Sequence, residues 1–472
     1  MTLTLKVFAK TVINLPSIPD EIVKFFSIKG NSTLLVKGKP GSGKTIFSLE
    51  CLIKLAKKGC GLYYSTRVDP ETVVSQYPYV AEHLPPKNII DATVTPFPKG
   101  QSTYDAIMFS SIPEFLRALH SGLKRIEKEE DAFIVIDSID SVCETLNVQR
   151  EKFMHAFAEL VRTSNIKSII VTENPKEVTK LDYLADGVVS LTYEYIDGKI
   201  YREMKIEKLR AVEIERPIIP FTLYGGRFTL PNEFKFPNPV NLGERLSRYI
   251  DFIRSGKGVT GEHSTGSLSL DKIMGKIRGG NLVLYLIREN VPSGVIAAIM
   301  GHHILSFLLR RNGVLLIPPR YGAKKFVTSM VKVLVPDESY LDNFKLITRL
   351  TDVNEFLEQY MKGLENLRKV SKTVGVMFSI DALENAFGPV AGLRVGTRMI
   401  MEARERNDVI FVFAHESSAI KNHIKDMSDR IIEVFYRHGY VFIHGIRHRT
   451  PIYNTYYSEK AEIPDLQLLQ IA

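Results

Sequence analysis

The octapeptide GKPGSGKT (residues 38–45) constrains the fold more than any other stretch of this chain. It follows NSTLLVKG, an apolar run that reads as a buried strand. It precedes Ile46, Phe47, Leu49, Leu52, Ile53, Leu55 and Ala56, which recur at helical spacing. A strand that turns through glycines into a helix N-terminus builds a phosphate cradle and commits the chain to an α/β architecture. Gly41 and Gly43 let backbone N–H groups converge on an anion with no side chain in the way. The residues expected around a nucleoside triphosphate are Gly38, Lys39, Pro40, Gly41, Ser42, Gly43, Lys44, Thr45 and Ile46. Within that set, Lys44 is expected at the β- and γ-phosphates and the Thr45 hydroxyl on Mg2+.

The order downstream extends this architecture. GLYYST (61–66), AFIVID (132–137) and KSIIVT (167–172) read as further strands, and SIPEFLRALHSGLKRIEKEE (111–130) as an amphipathic helix. VVSLTYEYIDGKIYREMKIEKLR (188–210) reads as a hairpin turning at Asp197-Gly198. A mainly parallel sheet flanked by helices and closed by a C-terminal hairpin is predicted. Asp137, which ends FIVID, is the expected magnesium-facing carboxylate, and Asp140 is expected as a helix cap or surface residue.

The same order is then written again. NLVLYLI (281–287) is a strand, RENVPSG a loop, VIAAIMGHHILSFLLRRNG a helix, and GVLLIPP a strand matching GLYYST. VGVMFSIDALE (374–384) matches AFIVIDSID, which sets Asp381 at the place of Asp137. SDRIIEVFYRHGYVFIHGIRHR (428–449) matches the hairpin segment, and the joint falls in PNEFKFPNPVNLGE (231–244). A tandem duplication is inferred, with domains at 1–235 and 236–472, as a chain of 472 residues leads one to expect.

Charge is uneven between the halves. Residues 1–235 carry 31 Lys and Arg against 29 Asp and Glu; residues 236–472 carry 31 against 24, giving +2 and +7 of the total +9. The basic half permits a polyanionic partner without requiring one. Three cysteines share no metal-ligand spacing and are too few for a disulfide framework. No apolar run is long enough for a membrane span, and MTLTLKVFAKTVINLPSIPDE lacks a signal-peptide core, so a cytoplasmic protein without a membrane partner is expected.

These segments resemble the RecA-like ATPases of the KaiC group over nearly the whole chain. HSTGSLSLDKIMGKIRGGNLVLYL (263–286) is similar to that group's S-T-G-x-x-x-L-D opening. LPSIPDEIVKFFSIKGNSTLLVKGKPGSGKT and YYSTRVDPETV resemble the archaeal gas-vesicle regulator GvpD and its relatives. The resemblance implies two tandem RecA-like domains, ATP with Mg2+ as the ligand, and rings or filaments with nucleotide between subunits. It also implies a K-x-R segment reaching a neighbour's γ-phosphate, which here falls on Lys208 and Arg210 in IEKLRAVE.

The chain departs from that pattern at several places. Where the group carries a glutamate pair that orients the attacking water, this sequence has Arg67 and Val68. A cation is no base, so slow hydrolysis or none is expected unless Asp69 or Glu71 turns inward; Arg67 is expected on a phosphate or in a surface ion pair. Thr172 and Asn174 stand where a polar γ-phosphate sensor is expected. In the second half, ENVPSGVI (289–296) puts Val295 for the lysine and Ile296 for the threonine, which predicts a pseudo-ATPase that serves as a partner-binding platform; Arg320 there follows a strand as Arg67 does. His302 and His303 are expected as packing or surface residues rather than metal ligands, and His438, His444 and His448 flank the last hairpin.

A regulatory ATPase bound to Mg-ATP and acting on a protein partner or on further copies of itself is the leading expectation. A DNA-binding RecA paralogue and a non-hydrolysing scaffold are the alternatives.

Overall fold

The computed structural model describes residues 16–93, 103–126, 132–173, 179–236, 242–255, 263–275, 277–318, 328, 331–332 and 334–472. Asn174 and Arg320 lie outside them. The chain divides into two units, one running to Pro231 and including Ile471–Ala472, the other Asn232–Gln470.

In the first unit the strands are β1 Ser32–Gly38, β2 Gly61–Ser65, β3 Ile89–Asp91, β4 Asp105–Ala106, β5 Phe133–Asp137, β6 Lys167–Thr172, β7 Gly187–Ile196, β8 Lys199–Leu209 and β9 Ile218–Phe221. They form one sheet in the order β4-β3-β2-β5-β6-β1-β7-β8-β9. All pairs from β4 to β7 are parallel, and β8 and β9 add antiparallel. The helices used below are α1 Asp20–Ser27, α2 Lys44–Leu55, α3 Pro70–Gln76, α4 Ile112–Leu123, α5 Ile139–Leu146, α6 Arg150–Ser164 and α7 Lys180–Leu184. One face of the sheet, with Leu35, Leu62, Tyr64, Ile134, Ile136 and Ile170, packs on Phe115 and Leu119 of α4 and Phe153 and Phe157 of α6. The strands read as continuous apolar runs because a parallel sheet is covered on both faces.

The second unit repeats the plan with β10 Leu282–Ile287, β11 Gly313–Ile317, β12 Phe344–Leu346, β13 Val374–Ser379, β14 Val409–His415, β15 Arg430–Arg437, β16 Tyr440–Arg447, β17 Tyr453–Tyr457 and β18 Leu466–Gln470. Their order is β12-β11-β13-β14-β10-β15-β16-β17-β18. Position for position this is the first order without a β4 counterpart and with β18 added at the hairpin side. Its helices include α8 Leu242–Ser255, α9 Leu268–Met274, α10 Ser293–Leu308, α11 Val353–Val370 and α12 Ile380–Glu405. Alternate residues of β10 serve two cores: Val283, Tyr285 and Ile287 face one, Leu282, Leu284 and Leu286 the other.

The repetition reaches single hydrogen bonds. Asp186 N donates to Thr33 O at 2.9 Å, and Thr33 N donates to Asp186 Oδ2 at 3.1 Å. In the second unit Asp429 N donates to Leu282 O at 2.9 Å, and Leu282 N to Asp429 Oδ2 at 2.7 Å. Each hairpin also carries a register shift at the matching place, between Val188 and Val189 and between Ile431 and Ile432.

Candidate functional site

The C-terminal ends of β1, β2, β5 and β6 lie side by side, and everything that reads as a phosphate site gathers there. β1 ends at Gly38, level with Leu191 of β7. A Cβ on Gly38 would stand 2.5 Å from the Leu191 carbonyl oxygen, so only glycine lets the loop leave the sheet here. Gly41 and Gly43 take φ values of 77° and 101°. Gly43 is the N-cap of α2, and Lys44 is its first residue. The N–H groups of the first turn therefore open toward the loop, where an anion is favoured by both the orphan donors and the helix dipole.

Lys44 is nearly buried and folds back over its own loop: Nζ donates to Gly38 O at 2.7 Å and Lys39 O at 3.0 Å. Burial lowers its pKa; Asp137 and Asp140 pull it back up and Arg67 lowers it further. The Thr45 hydroxyl hydrogen-bonds the Asp137 carboxylate, which also accepts the Tyr63 hydroxyl at 2.9 Å. Burial raises the pKa of Asp137, and the bonds from Thr45 and Tyr63 and the charges of Lys44 and Arg67 oppose that rise. A hydroxyl and a carboxylate on adjoining elements are hard oxygen donors, and they suit Mg2+ held jointly with phosphate oxygens. Ser42 Oγ is fully buried and has no hydrogen-bond partner among the described residues, a polar atom left over inside the loop. The donor set thus fits a magnesium-bound triphosphate.

The second ring of residues was less visible in the sequence. Asp140 is neither a surface residue nor a cap of its own helix. It is 4% exposed in the first turn of α5 and accepts Glu173 N at 2.6 Å, Thr172 Oγ1 at 3.3 Å and Arg150 Nε. It ties the end of β6 to the end of β5, and the Thr172 hydroxyl faces it. Thr66 makes the matching tie on the other side: Ser138 N donates to Thr66 Oγ1 at 2.6 Å and Thr66 N to Asp137 O at 3.0 Å. Arg67, at the exit of β2, is ion-paired with Glu173, at the exit of β6. Asp69 does not turn inward; it caps α3 by accepting Thr72 N and Thr72 Oγ1, both at 3.0 Å. Glu71 stands exposed in the first turn of α3.

Lys208 and Arg210 lie elsewhere. Lys208 pairs with Val188, which is level with Leu35 of β1, so both residues sit toward the N-terminal ends of the parallel strands, away from the loop. Lys208 Nζ donates to the carbonyls of Asp182 at 2.9 Å and Ala185 at 2.7 Å, and Arg210 Nη1 to Asp186 Oδ1 at 2.7 Å. They do not join Lys44 and Asp137 within the unit.

In the second unit the corresponding place is apolar. Val295 is buried in the first turn of α10, and a Cβ on Gly294 would meet the Phe236 ring at 2.9 Å. The pairing of Asp381 with Asp137 needs correction. Asp381 accepts His415 N, at the end of β14, at 3.0 Å, just as Asp140 accepts Glu173 N beyond β6. Both follow the same Ser-Ile step, Ser138-Ile139 and Ser379-Ile380. Asp381 is therefore the counterpart of Asp140, and Phe378 stands where Asp137 stands; matching on the shared SID triplet would have found this.

His302 and His303 are packing residues, as expected. His302 bonds the hydroxyls of Tyr249 at 2.7 Å and Tyr457 at 2.9 Å; His303 bonds the Tyr285 hydroxyl at 2.6 Å and Thr265 O at 3.0 Å. His444 is buried against Glu433 at 2.8 Å, whereas His438 and His448 are exposed. All three cysteines are free, and no described helix is long and apolar enough to cross a membrane.

With this geometry in place, the comparisons with known proteins are specific. Residues 22–207 match the family described as GvpD gas vesicle protein, P-loop domain. The chain is 28% identical to Protein GvpD2 of Halobacterium salinarum over 311 residues, 65% of this chain and 62% of that protein. It is 29% identical to Protein GvpD1 of the same organism over 318 residues, 65% of this chain and 57% of that protein. The chain thus spans less than two thirds of either relative's length. A UPF0273 protein of Pyrococcus horikoshii is 22% identical over 210 residues, 42% of this chain and 84% of its own.

Proposed function

We propose, from the premise that the first unit is a GvpD-type P-loop domain of the KaiC/RecA-like group, that the chain is an ATP-dependent regulatory switch. The first unit binds Mg-ATP and hydrolyses it slowly, and the second, with Val295, Ile296 and Phe378 at the three chemical positions, presents a surface to a partner without turning over nucleotide. The observation that carries this reading is the convergence of Lys44, Thr45 and Asp137 on one glycine-built loop at the C-terminal edge of a parallel sheet. Bound magnesium would supply Lewis-acid polarisation of the phosphate oxygens. Lys44 leaves its two loop carbonyls for phosphate oxygens, Thr45 and Asp137 would hold the metal, and the Tyr63 hydroxyl fixes the Asp137 carboxylate.

The test is ATP binding and phosphate release measured on wild type beside Lys44→Ala. Losing a charge-assisted contact of about 1.5–3 kcal/mol weakens ATP binding roughly 10- to 100-fold. Equal affinity in the variant would remove the switch reading. Lys208 and Arg210 enter the same proposal only through assembly, because neither reaches the loop of its own unit. An Arg210→Ala variant is expected to lower phosphate release at protein concentrations where copies associate and to leave dilute protein unchanged.

A further inference from the structure

A triphosphate cradle that hydrolyses its ligand needs a group to hold and deprotonate water beyond the γ-phosphate. Among the described acidic residues at this edge of the sheet, most are already committed. Asp137 accepts Thr45 and Tyr63, Asp140 accepts Glu173 N, Thr172 and Arg150, and Asp69 caps α3. Glu173 remains. Its backbone is pinned by Asp140, so the residue leaves β6 at a fixed place, while its side chain is partly exposed and engaged with Arg67.

The strand order says where that ion pair lies. β2 and β6 are separated by β5, so their ends stand about 10 Å apart. A bridge from Arg67 to Glu173 therefore passes over the end of β5, where Asp137 meets Thr45. Arg67 lies near enough for its charge to act on both Lys44 and Asp137. The side chains are 60% and 31% exposed, and an ion pair that open to water is weakly held. A γ-phosphate offers Arg67 a bidentate, charge-assisted partner that outbids it.

We propose that Glu173 is the water-orienting carboxylate of this site and that Arg67 holds it aside until a γ-phosphate draws the guanidinium away. The inference rests on the triphosphate reading given above. Once released, the Glu173 carboxylate accepts a hydrogen bond from a water facing the γ-phosphorus. The water oxygen bonds to phosphorus as the bond to the β–γ bridging oxygen breaks, and that electron pair leaves with ADP. Glu173 takes the water proton and returns it to the departing phosphate. Arg67 stays on the phosphoryl oxygens as charge builds there.

Glu173→Gln and Arg67→Ala separate this inference from the reading beneath it, using fluorescent ATP and ADP analogues for affinity and steady-state phosphate release for turnover. Glu173→Gln is expected to release phosphate about 100-fold more slowly or worse. It is also expected to bind ATP up to about 5-fold more tightly, with ADP affinity unchanged, because Arg67 no longer has an anionic competitor. Arg67→Ala is expected to weaken ATP binding about 10-fold and leave ADP binding alone. Phosphate release at the wild-type rate from Glu173→Gln overturns the role, as does an unchanged ATP-to-ADP affinity ratio in Arg67→Ala. A wild type that binds ATP and releases no phosphate also overturns it. A wild type that binds no ATP at all removes the triphosphate reading first, and this inference with it.

Discussion

His302 shows how a residue that looks available for chemistry is spent on packing. Two adjacent histidines in an apolar helix invite a metal, yet both ring nitrogens of His302 are taken by tyrosine hydroxyls and the ring is buried. Burial lowers its pKa to about 4. Unfolded, the same imidazole titrates near ~6.5. Between those values the unfolded chain binds a proton that the folded chain refuses, so acid destabilises the fold across that window. His302→Gln keeps hydrogen-bonding capacity and removes the titration. Its urea stability is expected to fall less steeply than wild type from pH 6.5 to 4, by up to about 1.4 kcal/mol per pH unit; parallel slopes would refute this. The site divides along similar lines of visibility. Lys44, Thr45 and Asp137 are legible because a local pattern and the end of one apolar run specify them. Tyr63 and Glu173 are not, because their partners Asp137 and Arg67 stand 74 and 106 residues away.

Among the elements, the apolar strands were the most readable and the sheet edges the least. GLYYST, AFIVID, KSIIVT and NLVLYLI all appear as strands within a residue or two, since burial on both faces leaves few other uses for such runs. The hairpin turns at Asp197 and Gly198, with φ of 49° and 75°, the two positive values that a tight two-residue turn demands. The short strands β3, β4 and β12 carry too few residues to show a pattern. Helix α12 hides a kink at Gly388-Pro389 that splits its periodicity. The joint between α2 and its loop is the element boundary on which the proposed function turns. Gly43→Ala would force a side chain onto φ 101° and bring its Cβ to 3.0 Å from Leu223. A loss of about 1–3 kcal/mol in stability is expected, together with ATP affinity falling at least as far as in Lys44→Ala. Retained affinity would mean that the first turn of α2 is not the cradle.

For the molecule as a whole, the two units share a frame and differ in the residues at its loop edge. Strand order, hairpin register shift and the aspartate that closes the first strand all recur, whereas lysine, threonine and the β5-end aspartate do not. Replacing two residues should therefore fail to revive the second copy. Val295→Lys combined with Ile296→Thr leaves Phe378 in the metal position and the Phe236 ring against Gly294, and it puts an ammonium where a valine is buried. Titration calorimetry is expected to give one ATP per chain before and after the change, with lower thermal stability after. Two sites per chain would show that the loop alone decides.

The central place of β1 in its sheet has a consequence during synthesis. Its neighbours are β6 and β7, and Ser32 pairs with Lys167. At about 5–20 residues per second, the ribosome needs roughly 7–27 s to deliver that partner after Ser32 has emerged. For that interval the nascent chain carries a bare apolar strand and an unformed anion loop, and β10 repeats the wait for β14 and β15. The glycine loop thus has no sheet edge to stand on until most of the first unit has left the exit tunnel, and the same wait then begins again for β10.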